Sequence, residues 1–187
     1  VLSYGDNLKY CLEANANRNI SCLIVPPTLS AHANNVGGLL ISSSPRDAFY
    51  DLHFRFIQES LYSLPFEPGI GSNCKIHPSA IIDEGCKIGD DVIIGERVVI
   101  REPVWIGSEV IIEPGSIIGA EGILYRSATD GNLLIPHAGY VRIHDKVSLM
   151  ANSIVVRSIH DTDLTEIGQG TIIGLNSIVG HEAKIGA

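Results

Sequence analysis

Isoleucine returns every six residues through the middle of this chain, at Ile76, Ile82, Ile88, Ile94, Ile100, Ile106, Ile112 and Ile118. The residue four places after each of these is small or β-branched along most of the run: Ala80, Cys86, Val92, Val98, Val104, Val110 and Ser116. A helix repeats about every 3.6 residues and a simple strand about every 2, so a period of six means that the chain turns a corner every six residues and points each isoleucine into a shared interior. Gly89, Gly95 and Gly107 directly follow repeat isoleucines, where a side chain would crowd the next coil. Three such faces close one triangular coil, and stacked coils make a parallel β-helix. The hexapeptide pattern is that of the left-handed form, an exception to the right-handed rule for parallel crossovers. The fold class expected is mainly β.

An interior of this kind uses Ile, Val and Gly rather than large irregular side chains, and the chain has 19 glycines but one Met and one Trp. Its net charge of −8 argues against nucleic acid, whose phosphates require clustered Lys and Arg. Cys11, Cys22, Cys74 and Cys86 form no CxxC pair, and Cys86 occupies an interior repeat slot. They read as buried free thiols of a cytoplasmic protein rather than as disulfides or metal ligands. No signal peptide is evident, and no apolar run approaches the ~20 residues that span a bilayer. The chain starts without Met and stops inside a repeat at Ile185-Gly186-Ala187, which predicts a piece of a longer protein with further C-terminal coils.

The first 68 residues lack the six-residue period. Ile20 to Val25, closed by Pro26-Pro27, and Gly38 to Ser42 read as buried strands. Ser44-Pro45 reads as an N-cap with proline at the first helical position, opening a helix to about Tyr62 with Ala48, Phe49, Leu52 and Phe56 on its apolar face. Asp6 is expected to cap an earlier helix through Glu13. The result is a small α/β domain over 1–68, ahead of the β-helix over 69–187. Within it Tyr4, Asn7 and Tyr10 lie three apart. Two aromatic rings flanking an amide can sandwich a flat heterocycle while the amide reads its edge, and the same spacing serves ordinary packing equally well.

The repeats pause twice. Residues 119–142 leave the period and contain Gly119-Ala-Glu-Gly-Ile-Leu-Tyr125, then Asp130-Gly131-Asn132, then Ile135-Pro136-His137-Ala138-Gly139. This predicts a loop with its own hairpin at the Asp-Gly turn. Loops leaving a rigid coil carry recognition, which makes Gly122, Tyr125 and His137 candidates for ligand contact, against the alternative of a spacer. The period resumes at Ile143, Leu149 and Val155, falters at Asp161, and returns at Ile167, Ile173, Val179 and Ile185. A buried aspartate there would be unpaired and costly, so 157–166 are expected to bulge outward.

His181, two places after Val179, faces away from the interior. An outward imidazole is either merely exposed or a general base near neutral pH. Should the coils keep their three-face register, Asp145, Asp163 and His181 would stack about 4.8 Å apart in one column. Asp163 would then orient the imidazole, with Glu182 the other nearby carboxylate. A zinc site would need paired histidines within one coil; Gly180-His181-Glu182 offers none, and His144 and His160 fall on unlike repeat positions, so no metal is expected.

With these residues in view, the chain resembles the UDP-3-O-acylglucosamine N-acyltransferase family of lipid A biosynthesis over nearly its whole length. Leu2-Ser3-Tyr4-Gly5-Asp6-Asn7-Leu8-Lys9-Tyr10 is similar to that family's nucleotide-binding segment, and Ile24-Val25-Pro26-Pro27 and Pro45-Arg46-Asp47-Ala48-Phe49 fit the same domain. The 119–139 excursion corresponds to the family's loop between repeats. From Ile167-Gly168-Gln169-Gly170 the spacing to His181 and Ile185-Gly186 matches the run that carries the family's catalytic histidine. The resemblance implies a cytoplasmic homotrimer that moves an acyl group from an acyl carrier protein thioester to the amine of a UDP-linked amino sugar. His181 would be catalytic, Tyr4, Asn7 and Tyr10 would hold the uracil, and no bound cofactor is implied.

The chain departs from the family near the transfer site. Gly174 and Leu175 stand where the family has Asp-Asn, and Val156-Arg157-Ser158 where it has Asp-Arg-Gly, which points to a different sugar or acyl group. An acidic carrier protein would need a basic patch, for which Arg126, Arg142, Lys146 and Arg157 are the candidates. The alternative is a hexapeptide acetyltransferase that uses acetyl-CoA on a nucleotide sugar in surface-glycan synthesis. Its members also place His, often followed by Glu, just before an Ile-Gly pair, but open with a glycine-rich βα turn that this N-terminus lacks. A third reading is a non-catalytic trimeric scaffold that binds a sugar nucleotide.

Overall fold

A computed structural model describes residues 1–128 and 131–186. The chain divides into two compact units, Val1–Leu61 and Tyr62–Ala187. In the first, β1 (Leu2–Tyr4), β2 (Cys22–Val25) and β3 (Gly38–Ile41) form a parallel sheet in the order β1-β2-β3. Helix α1 (Leu8–Ala16) links the first two strands, and α2 (Pro45–Gln58) follows the third. Strand β2 is paired on both sides, and its Leu23, Ile24 and Val25 are fully buried, as expected of a central parallel strand.

Local chemistry corrects three details. Asn7, not Asp6, caps α1, its side chain accepting from the Tyr10 N–H, and the helix runs on to Ala16. Ser44 does precede Pro45 at the start of α2, but its hydroxyl makes no cap hydrogen bond. That helix stops at Gln58, short of Tyr62, where Ser60 takes a left-handed φ of 52°. The helix buries Phe49, Tyr50 and His53, while Ala48, Leu52 and Phe56 are half-buried.

The second unit is a stack of parallel strands on three faces. The first face carries Gly69–Ile70, Lys87–Ile88, Val104–Ile106, Tyr140–Ile143, Leu164–Ile167 and Lys184–Ile185. The second carries Lys75–Ile76, Ile93–Ile94, Ile111–Ile112, Ser148–Leu149 and Ile172–Ile173. The third carries Ile81–Ile82, Val99–Ile100, Ile117–Ala120, Ile154–Val156 and Ile178–Val179. The chain visits them in that order, one strand per face, which is the β-helix arrangement that a hexapeptide period dictates. Ile88, Ile94, Ile100, Ile106, Ile112 and Ile118 are 3% exposed or less, and so are the interior partners Cys86, Val92, Val98, Val104, Val110 and Ser116.

The glycine after a repeat isoleucine is required by close approach. A Cβ on Gly89 would lie 2.6 Å from the Gly107 carbonyl carbon of the next coil. The left-handed corner residue comes two places later, at Asp91, Glu109, Lys146, Asn152, Asn176 and Glu182 among others. All four cysteines are free; Cys11 and Cys86 are buried, Cys22 and Cys74 half-buried. Burial, reinforced by Asp83, pushes the Cys86 thiol up to about 12. Among the described residues no helix is long and apolar enough to cross a membrane.

The register absorbs both interruptions. Ile106 pairs with Ile143 across the first, and Val155 pairs with Val179 across the second. Within the first, Tyr125–Ala128 and Gly131–Leu134 pair antiparallel; Asp130, at the expected hairpin turn, lies outside the described residues. In the second, Asp161 is exposed, as an outward bulge requires, but the chain has rejoined the stack by Leu164, and Thr165 fills the interior slot. Ile143 therefore pairs with Ile167, and the bulged residues shift the count between coils. Asp163 is consequently not in the column of His181: it sits exposed on the turn into Leu164–Ile167, where its N–H donates to the His160 carbonyl. Counted from the Val155–Val179 pair, the residue that corresponds to His181 in the preceding coil is Arg157, not Asp163.

Candidate active site

Both interruptions leave the stack at the same corner, between the third face and the first. The first follows Ile117–Ala120 and the second follows Ile154–Val156. In the next coil that corner is Gly180-His181-Glu182. Three successive coils thus bring their non-repeating residues to one edge, and the two loops bond to each other: Ala138 N–H donates to the Ile159 carbonyl at 2.8 Å and Gly139 N–H to the Ser158 carbonyl at 3.0 Å.

His137, Gly122 and His181 meet there. The rings of His137 and His181 lie 5.7 Å apart between centroids and inclined at 62°. A Cβ on Gly122 would stand 2.9 Å from Val156 Cγ1, 3.1 Å from His137 Nε2 and 3.4 Å from His181 Cδ2, so the two rings close in on its bare Cα and leave no room for a side chain there. His137 is 3% exposed, and neither of its ring nitrogens has a hydrogen-bond partner among the described residues. His181 Nδ1 is likewise buried without one. An unpaired buried polar atom costs about 1–3 kcal/mol, so these rings call for a bonding partner beyond the described side chains. Burial lowers the proton affinity of His137, and His181 and Arg157 lower it further against the opposing pull of Glu121 and Glu182.

Arg157 closes one side. Its Nη1 donates to the Glu102 carbonyl and its Nη2 to Glu121 Oε1, both at 2.5 Å, which ties the corners of three coils together. Beside it lies an open cavity of about 440 Å³ that Asp83, Arg101, Glu102, Glu121 and Arg157 line. Glu182, the carboxylate next to His181, accepts from the buried Ser158 hydroxyl at 3.4 Å while its N–H donates to Thr165 Oγ1 at 2.9 Å. Tyr125 is elsewhere, half-exposed on the hairpin opposite Leu134.

The four expected basic residues do not gather into one patch. Arg142 lies on the first face, 4.3 Å over the Trp105 ring, Lys146 pairs with Glu109 at 3.8 Å, and Arg157 is turned into the corner. Arg126 is on the hairpin. Among the described residues no three His, Cys, Asp or Glu side chains group as a metal site.

In the first unit Tyr4 and Tyr10 line one groove of about 480 Å³, with Ser3, Asp6, Glu13 and Asn17. Tyr4 ends strand β1 and packs 5.2 Å from the Phe49 ring; Tyr10 is exposed on α1. Asn7 is turned to the helix end, where its Oδ1 serves the Tyr10 N–H and its Nδ2 donates to Asp6 Oδ1, each at 3.0 Å. An amide has two N–H bonds and two acceptor lone pairs, so one of each remains.

Sequence reasoning missed the Arg157 clamp and the pairing of His137 with His181. The signal for both was the phase of the repeat. Ile118 and Val155, the last core residues before each pause, are both third-face positions, as is Val179 just before His181.

A family model described as bacterial transferase hexapeptide (six repeats) matches residues 67–102 and 85–120. The similarity to hexapeptide-repeat transferases therefore covers the first three coils and stops short of His137 and His181. No curated protein matches the chain.

Proposed function

We propose that the chain is an acyltransferase that moves an acyl group from a thioester donor to the amine of a UDP-linked amino sugar, with His181 as general base. The observation that carries this reading is the convergence of His181, His137 and Gly122 at the corner where both loops leave the stack. The family-model match to transferases supports the reaction class, and the resemblance of the N-terminal and C-terminal segments supports the sugar nucleotide and the N-acyl product. His181 would accept a proton from the attacking nitrogen, since an imidazole titrates near neutral pH.

The groove between Tyr4 and Tyr10 would take the uracil between aromatic surfaces, with Asn7 holding the helix end beside it and offering its remaining amide valences to the base edge. Uridine binding would then hold the amine for attack. Gly122, Tyr125 and His137 belong to the loop that meets the substrate, and acyl carrier protein, rather than CoA, is the proposed donor. The active species is a homotrimer, because a flat coil face has little concavity of its own and a neighbour supplies the other wall of the site.

An amine-acylation assay on the chain and its His181→Ala variant tests this, with UDP-glucosamine derivatives as acceptors and long-chain acyl carrier protein or acetyl-CoA as donors. Transfer from the carrier that falls at least 10²-fold in the variant is expected, the usual scale for a lost general base. Transfer from acetyl-CoA instead would assign the shorter donor. Tight sugar-nucleotide binding with no turnover from either donor would replace the enzyme with a binding scaffold.

A further inference from the structure

Resting on that acyl-transfer reading, we propose that His137 is a positioning residue for His181, a buried ring whose edge contact fixes the direction in which the general base presents its imidazole. A general base must keep one ring nitrogen within hydrogen-bond reach of the proton it takes, so the ring has to be held against rotation. The common solution is a carboxylate bonded to the other nitrogen. Neither nearby carboxylate does this for His181. Asp163 sits exposed on the turn into Leu164–Ile167, Glu182 accepts from Ser158, and His181 Nδ1 is buried with no hydrogen-bond partner among the described residues. The ring is therefore held by what packs against it.

His137 supplies that packing. The two rings touch edge to face, with centroids 5.7 Å apart and planes inclined at 62°, an arrangement that aromatic pairs favour. Gly122 backs both of them: a Cβ there would stand 3.1 Å from His137 Nε2 and 3.4 Å from His181 Cδ2, so its bare Cα is the floor against which the pair rests. Val156 Cγ1, 2.9 Å from the same point, closes that floor. With Nδ1 enclosed, Nε2 is the nitrogen that remains for a substrate.

The brace is itself anchored on both sides of residue 137. Before it, Ile135 is 1% exposed and its N–H donates to the Leu124 carbonyl at 2.8 Å. After it, the Ala138 and Gly139 N–H groups are bonded to the second loop, and a Cβ on Gly139 would collide with the His160 carbonyl oxygen. A side chain that orients another must have its own rotamer fixed in this way. At 3% exposed, the His137 ring is enclosed by its neighbours.

The charge state suits the role. Taking a proton makes His181 an imidazolium, which a charged neighbour would repel. Burial holds His137 below the usual histidine range, and His181 and Arg157 push it the same way. Of the two carboxylates that oppose them, Glu121 is bound by Arg157 and Glu182 by Ser158. His137 therefore stays neutral at pH 7 while His181 gains and loses its proton, and it takes no part in the transfer itself.

The test uses the whole chain with His137→Ala, which removes the ring, His137→Phe, which restores a flat ring that makes no hydrogen bond, and His181→Ala, which removes the base. Rates are measured with a UDP-glucosamine derivative and whichever of long-chain acyl carrier protein or acetyl-CoA the parent uses. His137→Ala is expected to lower kcat by about 10- to 10²-fold, the scale for a reacting group displaced by about 1 Å. The sugar-nucleotide KM should stay within about twofold, and His137→Phe should recover most of the loss.

Parental kcat in His137→Ala, with His181→Ala inactive, would overturn the role of His137 and leave the acyl-transfer reading standing. A His137→Phe variant as slow as His137→Ala would overturn it too, because a polar atom rather than the ring would then be what matters. So would a KM that rises in step with the loss. A parent that transfers from neither donor would overturn the acyl-transfer reading, and ring ¹⁵N NMR, which needs no turnover, then decides the brace alone. His137 in the parent should titrate below the usual value of about 6.5, and its midpoint should move up when His181→Ala removes the adjoining ring and its charge. A midpoint that stays in place would exclude the proposal.

Discussion

Glu166 shows how one side chain on the outer surface of the stack is coupled to the fold. His144 Nε2 donates to its Oε1 at 2.7 Å, and this bond, with Arg142 and Lys184 on the neighbouring coils, holds the carboxyl below a free glutamate's range. Because the folded form has the lower pKa, the stabilisation is full above the unfolded value of about 4.3 and is lost as pH falls through the folded one. Glu166→Gln should therefore lower the thermal midpoint of the coil unit at pH 5 and above. The difference should close on acidification below about pH 4. Melting curves across that range decide it; a gap that persists at pH 3, or none at pH 7, would mean that the carboxylate contributes nothing through its charge.

At the scale of the coil, burial depends on having neighbours above and below. Ile112 packs between Ile94 and Leu149 of the adjacent coils and is 1% exposed, whereas Ile76 pairs on one side with Ile94 and is half-buried. Ile112→Ala should cost about 2–5 kcal/mol and Ile76→Ala less than about 2. The single tryptophan, Trp105, sits in the third coil and reports coil unfolding in denaturant titrations. Equal losses at the two sites would contradict a stack stabilised by nearest neighbours.

The same logic explains what could be read in advance. Interior residues repeat because each coil presents the next with the same space, so Ile, Val and the close-approach glycines were legible. The left-handed corner position was not, because Asp91, Arg97, Glu109 and Lys146 share a backbone angle rather than a side-chain type. Strand β1 was too short to show a pattern before Tyr4. The outward position of His181 was legible, but its contact with His137 depends on a register that counting from Asp145 through Asp163 could not supply.

The outer faces of the coil unit differ in polarity. The outward column of the first is Lys87, Trp105, Arg142, Glu166 and Lys184, suited to water. That of the third is Ile81, Val99, Ile117, Ile154 and Ile178, apolar from end to end, with Ile81 55% and Ile178 70% exposed. The second column, Lys75, Ile93, Ile111, Ser148 and Ile172, also exposes isoleucine but is broken by Lys75 and Ser148, whereas the third is unbroken and borders the corner bearing His181, which makes the third the expected interface. A second copy seated on the third face would bury the strip and wall the site, and copies related by a threefold axis would repeat that contact until the ring closes. Sedimentation should give three times the 20.1 kDa chain mass. Replacing both Ile154 and Ile178 by Lys should yield monomers whose Trp105 unfolding transition is retained but whose acyl transfer is lost. A monomeric parent would remove the trimer, and a fully active trimer in the double-lysine variant would move the interface, and the second wall of the site, to another face.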